Sequence, residues 1–315
     1  MNGVPEELHP MCGVNHHIPL IDENKRYHYH LPRCPDSMKV QLMEKIMRYT
    51  QAGWWESVQT DQAAPMLCIP KKSSLLRTAI DARKQNDNTV KDVTPFPDQD
   101  QIRLDIARAK IQSKIDFSDA YEQIHTVPED IHKSAFATIY GTYVSHTMQI
   151  GDCNAPAMFQ CVMTMIFRDF IGIFLHAYLD DLFMYSNSVD EHEKHLMLVF
   201  EKIHKFQFYL KEEKCELYAE QVDCLGHMID HRGLHADADK MSRICNWQQP
   251  RNYNDVQKFV GLIQYLAHFL PDISSYTGLL SAMSKNGQPF AWRLLHHKCF
   301  EMIKYICCKT PVLVL

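Results

Sequence analysis

The sequence predicts an α+β fold followed by a helical region, and three observations lead to this class. Short apolar runs typical of strands mix with amphipathic helical patterns, without the strict strand–helix–strand order of a parallel sheet. The apolar stretch "FLHAYLDDLFMYS" (174–186) contains two adjacent carboxylates, which indicates a hairpin with Asp180 and Asp181 at or near its bend. The last quarter of the chain changes to helical periodicity.

The first part of the chain predicts an extended arm, a helix and two strands. Residues 1–35 are rich in Pro and His and have no clear periodicity. Residues 36–49 repeat apolar side chains at helical spacing behind an Asp-Ser start, which predicts a helix. "APMLCIP" (64–70) and "LLRTAID" (75–81) are strand candidates, and the turn-forming residues 86–100 mark a change of subdomain.

The middle of the chain predicts a strand, a hairpin and a helix. "AKIQSKIDFSDAY" suits a strand that ends near Asp116 in a turn and a short helix. "SAFATIYGTYVSHTMQI" predicts a hairpin that turns at Tyr140-Gly141. Asn154 is expected to cap a helix that ends near Gly172.

The elements after the Asp-Asp hairpin are expected to be mainly helical. Residues 188–206 form an amphipathic pattern with an acidic start and a basic end, which suits the helix dipole. "CLGHMIDHRGLHAD" predicts a hairpin around Arg232-Gly233, and "DADKMSRICNW" and "NDVQKFVGLIQYLAHFL" predict two helices. Pro250 separates these helices.

The composition is that of a soluble globular protein, with 46% hydrophobic and 23% charged residues. The sequence contains no signal peptide and no apolar run near transmembrane length, so an intracellular soluble protein without membrane contact is expected. The net charge of −5 does not indicate nucleic-acid binding. Between residues 71 and 91, however, six basic residues accompany two acidic ones. This patch could hold phosphates, or it could be a solvated charged face.

The eleven cysteines are scattered, and none forms a C-x-x-C pair. Their odd number and spacing predict reduced thiols in a reducing compartment. Cys and His residues between Cys12 and Cys34 could suggest zinc, but their spacing matches no standard zinc module. An arm with incidental Cys and His is the preferred interpretation, and a metal-binding module is the alternative.

The Asp-Asp pair has two interpretations. Asp tolerates turn conformations, so Asp180 and Asp181 could be two solvated turn residues. The apolar flanks favour a bend near the core, where clustered carboxylates need compensation and a divalent cation can supply it. Asp116 is the candidate for a third ligand because it also ends an apolar strand, although it could instead cap the following turn, as Asp119 could.

The same residues carry a resemblance to a known family. "AYLDD" resembles the Y-x-D-D box of reverse transcriptases, and "SKIDFSDAYEQI" resembles the preceding Asp motif. "NAPAMFQ" and "KEEKCELYAEQVDCLGHMID" are similar to segments of Gypsy-type (Metaviridae) long-terminal-repeat retrotransposons, and "NDVQKFVGLIQYLAHFLPDIS" to their thumb segment. Five motifs in the family's order rarely arise by chance, and the resemblance as a whole covers the chain from about His16 to Leu315.

This resemblance implies a right-hand polymerase fold of fingers, palm and thumb, with a palm of antiparallel sheet backed by helices. The expected domains are an N-terminal arm at 1–35, fingers and palm at 36–232, a helical thumb at 233–288 and the start of a connection at 289–315. Within 36–232, the fingers are expected at about 36–100 and 125–147, and the palm at about 101–124 and 148–232. The family usually continues into a ribonuclease H domain after "KTPVLVL". A polymerase segment or truncated copy of a larger polyprotein is therefore expected. The replacements within the family's motifs resemble those of a divergent branch, and an element of fungal origin is expected.

The resemblance also implies an activity, its cofactors and its partners. The expected activity is RNA-directed DNA synthesis, with DNA-directed synthesis of the second strand. Asp116, Asp180 and Asp181 would hold two Mg²⁺ ions, with Mn²⁺ as an alternative. The expected partners are primed RNA or DNA template, dNTPs, and the ribonuclease H and integrase regions of the parent polyprotein. A location in cytoplasmic virus-like particles, with the nucleus as a further site, is expected.

Further roles are implied residue by residue. Tyr121 matches the residue that reads the sugar 2′ position, although spacing alone favours a core aromatic. Lys214 matches the lysine that protonates pyrophosphate; otherwise it is a solvated lysine. The remaining expected nucleotide-binding residues are Lys71, Lys72, Arg77, Asp119, Ala120 and Ile150, and the expected primer grip consists of Leu225, Gly226 and His227.

The chain departs from the family pattern near the nucleotide pocket. "MQIGDC" stands where the family commonly has M-P-F-G-L, so Gln149, Ile150 and Asp152 replace Pro, Phe and Leu. Ile150 is expected to flank the incoming base, so these replacements affect the pocket shape. None of them removes a predicted metal ligand. A catalytically inactive, retroelement-derived nucleic-acid-binding protein is the alternative to an active enzyme.

Overall fold

The structure is a computed structural model. It describes residues 11, 13–70, 75–230, 233–236, 238–264, 266–267, 270, 273–283, 290–309 and 312–313. The chain divides into two compact units: unit one comprises Met1–Pro97, Ser113–Met184 and Val189–Leu217, and unit two comprises Asp98–Gln112, Tyr185–Ser188 and Tyr218–Leu315. Helices accompany mixed and antiparallel sheets, so the predicted α+β class is confirmed. In the described part of the chain, no helix has both the length and the apolar character needed to cross a bilayer.

The regular elements of the described residues are as follows. The α-helices are α1 (Lys39–Gln51), α2 (Arg83–Asn86), α3 (Gln99–Arg108), α4 (Ala155–Phe167), α5 (Val189–Lys205), α6 (Ala238–Cys245), α7 (Tyr253–Gln264), α8 (Ile273–Ala282) and α9 (Leu294–Lys309). The strands are β1 (Trp55–Ser57), β2 (Ala64–Pro70), β3 (Leu76–Ile80), β4 (Ile111–Asp116), β5 (Phe136–Thr138), β6 (Gly141–Ser145), β7 (Leu175–Tyr178), β8 (Asp181–Ser186), β9 (Glu216–Ala219), β10 (Gln221–Cys224), β11 (His227–Asp230), β12 (Gly233–Ala236) and β13 (Val312–Leu313). Short 3-10 helices lie at Asp36–Met38, Ala120–Gln123, Pro128–Ser134 and Glu212–Lys214.

Unit one contains a mixed five-stranded sheet with the order β1-β6-β5-β2-β3. β2 pairs antiparallel with β3 and parallel with β5. Helix α1 forms as the periodicity predicts, because Leu42, Ile46 and Tyr49 recur on one face and are buried. Tyr49 lies 4.7 Å from the Trp55 ring, and Trp55 lies 4.9 Å from Phe136. This aromatic cluster forms the core beside the sheet.

A second sheet, with the order β7-β8-β4-β9, is backed by helices α4 and α5. β7 and β8 form the predicted antiparallel hairpin. Helix α4 is apolar around most of its circumference, and Phe159, Val162 and Met163 are fully buried with residues of β4, β7 and β8. The helices therefore hold the sheet from which the candidate carboxylates project.

Unit two contains the antiparallel sheet β10-β11-β12-β13 and helices α6 to α9. The β10–β11 connection is a two-residue loop in which Leu225 and Gly226 have φ of 52° and 80°. Positive φ at both positions matches the right-handed strand twist of tight hairpins. β11 and β12 form the hairpin predicted around residue 232, whose loop residues lie outside the described part.

Several sequence expectations need correction. Asn154 stands at the N-cap position of α4 but makes no side-chain cap; its Nδ2 donates to the Val90 carbonyl and its Oδ1 accepts from Asp92 N. Helix α4 ends at Phe167 rather than near residue 172. The β5–β6 loop lies one residue earlier than predicted, because Thr138 pairs with the residue at 141.

Two further differences concern covalent and helical structure. Cys245 and Cys308 form a disulfide between α6 and α9, so the expectation that all cysteines are reduced is wrong for this pair. Helix α3 was not predicted. It buries only the apolar side chains of Ile102 and Ile106, and it follows a segment rich in turn-forming residues. The side chain of Asp98 starts α3 by accepting from two backbone amides.

Candidate active site

The two adjacent carboxylates lie at the tip of the β7–β8 hairpin. Tyr178 pairs with Asp181, so the loop consists of Leu179 and Asp180. Leu179 has a left-handed φ of 52°, a conformation that costs an L-residue about 1–2 kcal/mol. Gln160 of α4 holds this bend: its Oε1 accepts from Leu179 N at 2.9 Å, and its Nε2 donates to a β7 carbonyl at 3.1 Å. The "NAPAMFQ" segment thus supports the Asp-Asp turn.

Asp116 occupies the end of the neighbouring strand β4 and is 7% exposed. Its Oδ2 accepts a hydrogen bond from Lys214 Nζ at 2.8 Å. Burial acts to lower the pKa of Lys214, but the hydrogen bond to Asp116 and the charges of Asp116, Asp180 and Asp181 together raise it. Lys214 therefore interacts electrostatically with all three predicted carboxylates.

Lys114 is a site residue that the sequence analysis missed. Its Nζ lies 3.1 Å from Asp181 Oδ1, and also 5.4 Å from the centre of the Phe183 ring. Burial raises the pKa of Asp181 to about 6; Lys114 opposes this shift, and the charges of Asp180 and Asp116 add to it. The available signal was strand periodicity, because Lys114 precedes Asp116 by two residues and shares its face of β4.

The three carboxylates fit the chemistry of a divalent-cation site. They supply hard oxygen donors, and the pKa of Asp181 is raised mainly by burial, with the charges of Asp180 and Asp116 adding to the shift. Among the described residues, however, no three His, Cys, Asp or Glu side chains lie close enough together to coordinate one metal ion. Two of the carboxylates instead form ion pairs with Lys114 and Lys214.

Tyr121 lies beside these carboxylates, in the 3-10 turn that follows β4. Its ring packs edge-on against Phe159 of α4, with centroids 5.7 Å apart. Burial and the charge of Asp180 raise the pKa of Tyr121, while Arg77 acts in the opposite direction. The structure therefore places Tyr121 within the electrostatic reach of Asp180 and of the exposed Arg77 on β3.

The turn that carries Tyr121 is anchored to helix α1. Asp119 begins this turn with a left-handed φ of 45°, and Ala120 is buried. Tyr49 Oη donates to Glu122 Oε2 at 2.6 Å and lies 3.3 Å from Asp119 Oδ2. Sequence reasoning did not find these contacts, because Tyr49 and Glu122 are 73 positions apart.

The predicted base-flanking residue, Ile150, is fixed by its backbone. Its carbonyl accepts from Ile80 N at 2.8 Å, at the end of β3. The next residue, Gly151, has φ of +125°, and a Cβ there would lie 2.1 Å from the Ile80 carbonyl oxygen. Asn86 donates to the Gly151 carbonyl at 2.8 Å. Only glycine fits this close approach of two backbone segments.

The remaining predicted site residues are two lysines and the expected primer grip. Lys71 and Lys72 lie outside the described residues. Leu225 and Gly226 form the tight β10–β11 loop of unit two, and His227 begins β11. There, Asp223 Oδ1 accepts from Gly226 N at 3.0 Å. Their roles in gripping a primer stay predictions.

Comparison with known proteins connects this geometry to a family. A family model described as "Reverse transcriptase (RNA-dependent DNA polymerase)" matches residues 69–229, about half of the chain, including all three carboxylates. The chain belongs to this reverse transcriptase family. Members of the family generally use divalent metal ions, which agrees with the oxygen-rich donor set.

The most similar relatives include polyproteins of fission-yeast transposons. The Tf2-3 and Tf2-7 polyproteins of Schizosaccharomyces pombe are each 28% identical to this reverse transcriptase chain over 307 residues. The alignments cover 96% of the chain but only 23% of each relative, so the chain spans about a quarter of their length. The predicted resemblance to retrotransposon reverse transcriptases is confirmed.

Solved structures show the same fold. The foamy viral protease-reverse transcriptase dRH in complex with double-stranded DNA matches with a TM-score of 0.80 and 20% identity, over 98% of this chain and 52% of that one. The foamy viral protease-reverse transcriptase in complex with an RNA/DNA hybrid matches with a TM-score of 0.77 and 19% identity, over 99% of this chain and 41% of that one. The α+β polymerase fold expected from the sequence is therefore confirmed.

Proposed function

We propose that this chain is the polymerase module of a retrotransposon reverse transcriptase, which extends a primer 3′-hydroxyl with dNTPs on an RNA or DNA template. One observation carries the proposal: Asp116, Asp180 and Asp181 act on one another electrostatically beside Tyr121 and Lys214. Family membership and the similarity to transposon polyproteins support it.

The proposed reaction forms a bond between the primer oxygen and the α-phosphorus of the dNTP and releases pyrophosphate. Asp116, Asp180 and Asp181 would hold two Mg²⁺ ions, or Mn²⁺. When bound, such ions activate the attacking hydroxyl and stabilise charge on the phosphates and the leaving oxygen. Lys214 is assigned as the donor of a proton to the departing pyrophosphate, because its raised pKa keeps it protonated.

The remaining residues of the site are assigned to substrate binding. Arg77 and the lysines at 71 and 72 would contact the triphosphate, together with the backbone at Asp119 and Ala120. Ile150 would flank the incoming base, with its backbone held by β3. The hairpin at 225–227 is assigned to the primer end. A primed template is the main partner, and the ribonuclease H and integrase regions of a parent polyprotein are proposed as others.

The proposal is tested by primer extension on an RNA template with Mg²⁺ and dNTPs. The unaltered chain should extend the primer, and Asp180→Asn should reduce extension by at least about a hundredfold while retaining template binding. Tight template binding without extension by the unaltered chain would instead identify a non-catalytic nucleic-acid-binding protein. Primer–template affinity should also fall steeply with salt, since phosphate contacts dominate such binding.

Tyr121 provides a second test, which concerns sugar selection. Replacing Tyr121 by Ala removes the ring that would meet a 2′-hydroxyl, so Tyr121→Ala should incorporate ribonucleotides that the unaltered chain rejects. The ratio of kcat/KM for dNTP and rNTP measures this effect. An unchanged ratio in Tyr121→Ala contradicts the assignment.

For location, we propose cytoplasmic virus-like particles and the nucleus, which fractionation of expressing cells would check.

A further inference from the structure

Helix α1 carries two polar side chains that reach into the interior of unit one. Lys45 and Tyr49 are four residues apart and therefore share one helix face. Lys45 Nζ donates to Glu122 Oε1 at 3.2 Å, and Tyr49 Oη donates to Glu122 Oε2 at 2.6 Å. Both carboxylate oxygens of Glu122 thus accept hydrogen bonds from side chains of α1.

These contacts lie in a desolvated environment. The side chain of Glu122 is 7% exposed and that of Lys45 is 16% exposed. Lys45 Nζ also lies 4.5 Å from the Tyr49 ring centre and 5.6 Å from that of Trp55. Screening by water is weak at such sites, so breaking one member of the group leaves a buried polar atom or charge uncompensated. The cluster is therefore a rigid connection rather than a surface ion pair.

The cluster joins the two segments that carry the proposed nucleotide contacts. Lys45 Nζ also donates to Thr78 Oγ1 on β3 at 2.9 Å, and Thr78 follows Arg77. On the other side, Glu122 follows Tyr121 directly in the 3-10 turn. The Lys45 ammonium group therefore connects the strand that carries Arg77 to the turn that carries Tyr121.

The other side of the turn is held differently. Gln123 Nε2 donates to the Tyr209 carbonyl at 2.9 Å, and Gln123 Oε1 accepts from Tyr209 N at 2.7 Å. The ring of Tyr121 packs edge-on against Phe159 and against the core cluster that backs the second sheet. The position of the Tyr121 hydroxyl group therefore depends on how the turn is held on both sides, by Gln123 at Tyr209 and by Glu122 at helix α1.

We infer that Glu122, together with Lys45 and Tyr49, is a positioning residue for sugar selection, acting through Tyr121. This inference rests on the proposed polymerase function and names a determinant of its specificity. Glu122 does not touch substrate. It fixes the turn so that the Tyr121 ring stands where a 2′-hydroxyl would collide with it, and it keeps that turn in register with Arg77.

The test measures kcat/KM for a dNTP and for the matching rNTP in primer extension. Glu122→Gln keeps the shape and one acceptor but places an amide against the Lys45 ammonium, so the dNTP preference should fall by roughly tenfold. Tyr49→Phe removes a single hydroxyl group and should lower the preference in the same direction by a smaller factor. Lys45→Met combined with Glu122→Gln should recover part of it, because the unpaired charge is gone.

A matched control separates positioning from stability. Lys133 and Asp130 form another ion pair of unit one, at 2.9 Å with side chains 11% and 12% exposed, and neither is assigned to the site. Asp130→Asn should lower the melting temperature as Glu122→Gln does, while leaving the dNTP preference within about twofold of the unaltered chain.

Epistasis with Tyr121 decides the mechanism. If Glu122 acts through Tyr121, Glu122→Gln should have no further effect on selectivity in a Tyr121→Ala background. An undiminished effect there overturns the inference, as does an unchanged preference in the folded Glu122→Gln and Tyr49→Phe variants. Absence of extension by the unaltered chain is a different result, which overturns the proposed function itself.

Discussion

Burial of His227 should make unit two sensitive to acid. This side chain is 1% exposed in strand β11. Burial lowers the pKa of His227 to about 4, and the nearby positive charges of Arg103 and Lys240 contribute in the same direction. In the unfolded chain its pKa returns to about 6.5. Between these two values the unfolded state binds more protons than the folded state, so stability falls as pH decreases from about 6.5 to 4.

The expected size follows from the two pKa values. The pKa of His227 is about 4 in the folded chain and near 6.5 in the unfolded chain. Its protonation should therefore lower the free energy of unfolding of unit two by about 2 kcal/mol between pH 7 and pH 4.5. His227→Gln cannot take up this proton. The substitution also changes packing, but that cost is the same at both pH values and cancels in the comparison.

The assay is urea unfolding of both proteins at the two pH values, with hydrogen exchange of β11 amides to identify the transition of unit two. The stability lost on acidification should be about 2 kcal/mol smaller in His227→Gln than in the unaltered chain. Met228→Leu, in the same strand, introduces no titrating difference and should lose as much as the unaltered chain. Equal losses in all three proteins would refute the argument from burial.

Other predictions concern different parts of the chain. Gly151→Ala should lower the melting temperature and raise the KM for dNTP, because its Cβ would clash with a carbonyl oxygen 2.1 Å away and its φ of +125° is strained for Ala. Lys114→Met removes a positive charge 3.1 Å from Asp181, so half-maximal extension should require less Mg²⁺, as a metal titration would measure. Reducing the Cys245–Cys308 disulfide, which spans 63 residues, should destabilise unit two by about 2–4 kcal/mol in urea unfolding.

Local sequence patterns correctly predicted the secondary-structure elements that carry the site. The strand-forming residues on both sides of the Asp-Asp pair predicted a hairpin, and the structure forms it with Asp180 in the loop. The Asn154-Ala-Pro start predicted a helix, and α4 forms there and packs against that hairpin. These predictions succeeded because periodicity of two or 3.6 residues is set by sequence neighbours alone.

Contacts between distant segments were not predictable in this way. Lys114 and Asp181 are 67 positions apart, and Lys45 and Glu122 are 77 apart. No local rule links such residues, because their meeting depends on how strands and helices pack. Asn154 illustrates the same limit: its position and type indicate a cap, yet its side chain bonds to a distant loop instead.

The two lysines of the site differ in a way that matches different tasks. Lys114 is 16% exposed and lies over the Phe183 ring, so moving it would leave the Asp181 carboxylate, which is 22% exposed, without this counter-charge. Lys214 is 55% exposed, and ion pairs of such exposed lysines are worth only about 0–1 kcal/mol. This exposure is compatible with the proposed role of Lys214 as a proton donor, whereas Lys114 suits a fixed counter-charge. Three carboxylates against two ammonium groups leave one net negative charge, which lowers the cost of burial and still attracts a cation.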